Sequence, residues 1–183
     1  KVCVMTVATI VNNDIGKVVK SLTAKQLQDV FTAKVTNWKD LGGPDEAIVL
    51  VTRPKTSGTR ALFKQYALGG SEEAENKSLQ TDDSGLLVQS VAQNPGAIGY
   101  VALPYLLKND KVKTLAIDGV EPTLANTYSG KYQVWGYEHI YTNKSPKTAV
   151  VAFLKFITGS DYGKRIEELG YGASSKMQTK EVH

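Results

Sequence analysis

A chain of 183 residues with 42% hydrophobic and 22% charged side chains can bury a sizeable core, which excludes a disordered tail or a small disulfide-stapled module. Its 22 basic and 18 acidic residues leave a net charge of +4. These charges are scattered and do not cluster with aromatics, so they give no nucleic-acid footprint and favour an anionic ligand only weakly. No apolar run is long enough to span a bilayer and no signal peptide opens the chain. The length allows one α/β domain or two small lobes.

In chain order, residues 2–11 are almost all apolar or β-branched and predict a buried strand. The single cysteine, Cys3, lies in it and reads as a buried, inert thiol that supports neither a disulfide nor a zinc site. Because this first stretch already resembles mid-sheet strand, the chain is expected to start inside a larger protein. Asn12-Asn13-Asp14-Ile15-Gly16 reads as a turn. Thr23 and Gln26 then form a capping box for a helix over about 23–33, with Leu27, Val30 and Phe31 on its apolar face. Asn37 to Pro44 is turn-rich and leads into a strand at 48–53.

The segment after that strand is the most informative in the chain. Thr52-Arg53-Pro54-Lys55-Thr56-Ser57-Gly58-Thr59 is a short loop between a buried strand and a helix whose apolar residues fall at 62, 63, 66 and 67. Ser57 or Thr59 is a candidate N-cap. Such a loop leaves helix amides unpaired, with the positive end of the helix dipole behind them. Hydroxyls on Ser57 and Thr59 and a guanidinium on Arg53 complete a cradle for a phosphate-type oxyanion. Lys55 and Arg60 read as solvated rim charges.

Gly69-Gly70 stops that helix, and 72–76 is polar with at most a short exposed helix. Asp82-Asp83-Ser84-Gly85 leads into a second loop–helix junction, read as an N-cap rather than as another anion nest. Residues 97–102 and 112–117 predict strands, the latter ended by Asp118-Gly119. Residues 132–141 are aromatic and alternate, which predicts extended chain. Apolar positions 150, 153, 154 and 157 give a helix, Gly159 interrupts it, and a second helix runs to about Leu169 before Gly170. The tail from Ser174 to His183 is polar and reads as loose. Alternating strands and helices predict an α/β layer fold with a mostly parallel sheet flanked by helices. Trp38 and Trp135 read as packing residues, and His139 as structural, since no triad partners accompany it.

Taken together, four motifs in register resemble the phosphate-binding proteins of ABC importers, with the type 2 periplasmic-binding-protein fold. They are Leu22–Phe31 with Val35-Thr36-Asn37-Trp38 after it; the Arg53 to Thr59 loop; Pro95-Gly96-Ala97-Ile98-Gly99-Tyr100; and Leu169-Gly170-Tyr171. The resemblance implies a two-lobed, extracytoplasmic protein, at the periplasm or cell surface and anchored by lipid in its full-length form. It would close over inorganic phosphate and deliver it to ABC permease subunits, with no cofactor, no metal, no nucleic-acid partner and no catalysis. It further implies that this chain is the second lobe plus the returning C-terminal segment, and that the N-terminal lobe is its missing partner. The expected division is 1–12 as a crossover strand, 13–131 as the phosphate-loop lobe, and 132–183 as return strand and C-terminal helices, with hinges in 5–12 and 132–142.

Carried over residue by residue, the phosphate ligands are the Arg53 side chain, the Ser57 hydroxyl and amide, the Gly58 amide, and the Thr59 amide and hydroxyl. Some family members carry an acid two residues after the arginine; here Lys55 takes that place. The acceptor for phosphate's proton is expected in the missing lobe, with Asp82 and Asp83 as local candidates. The residues also bear on two other functions. An enzyme lacks its parts, because Ser57 is in no G-x-S-x-G elbow and the loop lacks the first glycine and the lysine of a P-loop. An oxyanion-sensing effector domain of a regulator has the same fold and remains the alternative.

Overall fold

In the computed structural model, which describes residues 1–179, the long strand β1 (Cys3–Asn12) is the axis on which everything else is hung. Its C-terminal half pairs antiparallel with β5 (Ala97–Ala102) and β6 (Val112–Ile117). Its N-terminal half, Cys3 to Thr6, pairs antiparallel with β7 (Trp135–Glu138) and β8 (Gly172–Ala173). One strand therefore serves two sets of neighbours, with the handover between Thr6 and Val7. At that point the Val7 amide donates to the Val134 carbonyl at 2.9 Å. The buried hydroxyls of Thr6 and Thr127 lie 2.9 Å apart.

The larger set of strands runs in the order β2 (Ser21–Leu22), β6, β1, β5, β3 (Val49–Thr52), β4 (Ser78–Gln80). Pairing is parallel for β2–β6, β3–β4 and β3–β5. The α/β class is as the sequence predicts, but the sheet is mixed rather than mostly parallel. The cause is β1, which runs against each strand it pairs with, so its apolar continuity reflects burial on both faces and not parallel pairing.

Successive side chains on a strand face opposite ways, and the two core clusters follow that rule. Val11, Leu50 and Tyr100 join one cluster with Leu27, Val30 and Phe31 of α2 (Ala24–Phe31), with Phe63 of α3 (Gly58–Tyr66) and with Leu68 just beyond it. Ile10, Val51 and Val101 join the other with Leu87, Val88 and Val91 of α4 (Ser84–Gln93). The two clusters fix α3 on one side of the sheet and α4 on the other.

Local signals account for most helix starts. The Thr23–Gln26 capping box is present in full ahead of α2. Where a turn is expected at 12–16, a short helix α1 (Asn13–Val18) forms, because the Asn12 side chain accepts from the Asp14 amide and caps it. The extended stretch at 132–141 contracts to the four residues of β7. The helix α5 (Leu124–Tyr128) precedes it, and α6 (Thr148–Ile157) and α7 (Ser160–Glu168) come after it. Of the tail, Ser174–Lys176 forms a 3-10 turn, and His183 lies outside the described residues.

Candidate functional site

Strand β3 stops at Thr52, and α3 starts at Gly58. Between them Pro54 and Ser57 close a turn, with the Ser57 amide donating to the Pro54 carbonyl at 2.9 Å. That bond corrects one expectation: the Ser57 amide is used inside the protein and is not a ligand donor. The Ser57 hydroxyl is the N-cap, accepting from the Arg60 amide at 3.3 Å. Accepting uses a lone pair, so its own proton stays available. The Gly58 and Thr59 amides have no protein partner among the described residues, as expected for the first turn of a helix. A methyl group added at Gly58 would meet nothing within 4 Å, so the approach to these amides is open.

Arg53 lies just beyond the strand, half-buried. One terminal nitrogen donates to the Ser84 hydroxyl at 2.7 Å and the other to the Asp82 carbonyl at 2.6 Å. The guanidinium is thereby aimed by the start of α4. Its buried Nε has no hydrogen-bond partner. A buried donor left without an acceptor is costly.

The structure brings Arg53, Ser57, Gly58 and Thr59 to one cleft of about 300 Å³. Met5, Ala102 and Ser84 also line it. Sequence reasoning missed Ser84 as a lining residue, although it noticed the loop–helix junction that carries it; Asp83 is the N-cap there. It missed Glu138 altogether, which lines the cleft from the end of β7, because nothing in an aromatic strand marks one carboxylate as facing a loop so far back along the chain. A larger hollow of about 660 Å³ runs along α4 past Asn13, Gln89 and Lys111, and none of the loop residues line it.

Arg60 overturns its reading as a solvated charge. It is buried at 3% exposure behind the loop, with Nε 3.3 Å from Glu73 and Nη2 2.7 Å from Glu75. A buried guanidinium demands such partners. Lys55, exposed, lies 3.5 Å from Glu75 rather than at the cleft. Asp82 and Asp83 are exposed and do not line the cleft. Trp38 and Trp135 are buried packing residues, and the Trp38 indole donates to the Gly96 carbonyl at 2.8 Å. His139 is exposed, with rings of Tyr137 and Tyr141 on either side at 6.5 and 6.2 Å. Cys3 is buried, and burial, with a smaller push from Glu138, raises its thiol to about 11. Among the described residues no group of His, Cys, Asp or Glu could hold a metal ion. No helix among them is long and apolar enough to cross a membrane.

The family model of the PBP superfamily domain matches residues 1–161. The phosphate-binding protein PstS of Bacillus subtilis (strain 168) is 43% identical over 166 residues, which takes in 91% of this chain and 54% of that protein. PstS of Staphylococcus epidermidis (strain ATCC 12228 / FDA PCI 1200) is 32% identical over 183 residues, 94% of this chain and 55% of that protein. The chain thus spans about half the length of the curated relatives it matches. A Clostridium perfringens substrate-binding protein assigned to phosphate ABC transport, solved with bound phosphate, superposes with a TM-score of 0.84 at 30% identity. That match covers 94% of this chain and 70% of the other. The chain belongs to the PBP superfamily and is a homologue of its phosphate-binding proteins.

Proposed function

We propose that the chain binds inorganic phosphate, as part of the extracytoplasmic substrate-binding component of an ABC importer. The observation that carries this reading is the convergence on one small cleft of the Gly58 and Thr59 amides, which have no protein partner among the described residues, and of the Arg53 side chain. The hydroxyls of Ser57 and Thr59 add two donors that can also accept, which suits an anion bearing a proton. Charge-assisted bonds of about 1.5–3 kcal/mol each make three to five such contacts sufficient for useful affinity once water is excluded. Nothing in this set activates a nucleophile, so the chemistry is binding without turnover.

Exclusion of water requires a second wall. In this reading a preceding lobe supplies it, and also supplies the acceptor for phosphate's proton. Residues 13–131 then act as the loop-bearing lobe, and residues 132–179 return to the other, with β1 crossing between them. The Thr6–Val7 handover is the natural hinge, because there the strand exchanges one set of partners for the other. Permease subunits receive the closed form, and a lipid anchor holds the full-length protein at the outer face of the membrane.

Calorimetry with phosphate and with sulfate tests the reading, on this chain and on a longer protein that carries the preceding lobe. Weak phosphate binding is expected for the chain alone and much tighter binding for the longer protein. Arg53→Ala should abolish the heat in the longer protein. Wild-type affinity in that variant would remove Arg53 from the site.

A further inference from the structure

The backbone of Arg53 leaves the sheet one residue after β3 ends, so neither its amide nor its carbonyl has a ladder partner there. Both are taken up by side chains from behind the loop. The Arg53 amide donates to the Tyr100 hydroxyl at 3.2 Å. The Arg53 carbonyl accepts from Nη1 of Arg60 at 2.8 Å. One peptide group on each side of a single Cα is thus gripped by a long side chain rooted in a different element, β5 in one case and α3 in the other.

Each gripping group is itself fixed. The Tyr100 ring is fully buried and stacks on Phe63, with centroids 4.1 Å apart and planes 12° from parallel; Phe31 tilts against it at 5.9 Å. Its hydroxyl therefore has one available position, set by core packing. Arg60 is held by Glu73 at 3.3 Å and Glu75 at 2.7 Å, with Glu72 at 3.9 Å. Glu75 and Glu72 are balanced in turn by Lys55 and Lys64. The buried Arg60–Glu73 pair at the centre of this array is a poor way to gain stability, since its desolvation offsets much of the attraction. It is a good way to hold one guanidinium in one place.

We propose that Arg60 and Tyr100 are positioning residues for anion binding: together they lock the Arg53 backbone so that its side chain meets the cleft in a single orientation. The inference rests on the phosphate-binding reading above. Neither residue lines the cleft, so each acts through Arg53 and not by touching the ligand. The guanidinium is then held at three points, the backbone bracket at its root and Ser84 and the Asp82 carbonyl at its tip.

The test uses the full chain labelled with nitrogen-15, inorganic phosphate as the probe, and the amide signals of Gly58 and Thr59 together with the Arg53 Nε–H signal as readouts. Tyr100→Phe deletes one oxygen and keeps the stacked ring. Arg60→Lys keeps the charge and removes the planar fork that reaches the Arg53 carbonyl. Each variant is expected to bind phosphate about tenfold more weakly, the scale of one misplaced charge-assisted bond. The Arg53 Nε–H signal should also broaden or move before any phosphate is added, which lost packing elsewhere would not cause. If Arg60→Lys fails to fold, Tyr100→Phe carries the test alone. Wild-type affinity and an unmoved Arg53 signal in a folded Tyr100→Phe variant would overturn the proposal. Failure of the unmodified chain's Gly58 and Thr59 signals to respond to phosphate would instead strike the phosphate reading itself.

Discussion

At the scale of single residues, Glu73 is where burial and charge are most at odds. Only 1% of its side chain is exposed, and Arg60 is the cation beside it. Burial pushes its carboxyl up from 4.5 to about 7, against the opposing pull of Tyr100 and Arg60. A carboxyl raised on folding binds its proton more tightly in the native state. Its stabilising contribution is therefore complete below about pH 4.5 and is lost as pH rises through about 7. The exposed Glu72 and Glu75 act in the opposite sense, since Lys64 and Arg60 lower them, and their contribution is lost as pH falls. Glu73→Gln isolates the buried group. In urea denaturation the stability of the wild type relative to this variant should fall by about 2 kcal/mol between about pH 5 and pH 8, following about 1.36 kcal/mol per pKa unit. A difference that does not change with pH would mean that Glu73 titrates alike in the folded and unfolded chain.

At the scale of elements, the start of α3 combines two jobs in one side chain. Ser57 caps the helix by accepting from the Arg60 amide, and it also lines the cleft. The two roles separate by substitution. Ser57→Ala should cost about 1 kcal/mol of stability, whereas Ser57→Gly should cost only a few tenths, because glycine is itself tolerated at an N-cap. Loss of the hydroxyl donor is the same in both, so both should weaken phosphate binding to a similar degree in calorimetry. Affinity that tracks stability instead would assign the serine to capping alone. This junction was legible in the sequence because the strand-to-helix change of period and the Ser-Gly-Thr run are local features. Arg60 was not, since its burial depends on Glu73 and Glu75 arriving from beyond the glycine stop, and no local pattern records that meeting. The Ser57 amide was misjudged for a related reason: whether a turn closes on itself is decided by Pro54 geometry, not by residue type. Glu138 reaches the cleft only through the pairing of β7 with β1, a register that its own sequence does not contain. The mixed sheet was equally illegible, because a strand buried on both faces looks the same whichever way its neighbours run.

At the scale of the whole molecule, the C-terminal helices present exposed apolar side chains. Helix α6 has Val151, Phe153 and Phe156 at 50%, 56% and 61% exposure, and Tyr141 just before it is 89% exposed. Ile157 is the one residue of this helix that is buried. Scattered exposed apolar residues need no explanation, but Phe153 and Phe156 are three positions apart on one face of α6, and an exposed aromatic pair of this kind marks a contact surface. In the two-lobed reading the preceding lobe covers it, and that contact ties the return segment to the wall that closes the cleft. Replacing Phe153 and Phe156 together by serine tests this at two levels. In this chain both side chains are more than half exposed, Phe156 meeting the Tyr162 ring at 5.2 Å, so stability should change by no more than about 0.5–1 kcal/mol for each. In the longer protein that carries the preceding lobe, the same pair would open a cavity in a packed interface. Each buried phenylalanine lost in that way costs several kcal/mol, on the order of 3–5 for truncation to a small side chain. The longer variant should therefore melt well below its parent and bind phosphate more weakly, while the short variant melts with its parent. Equal melting of the longer protein and its variant would mean that some other surface seats the lobe.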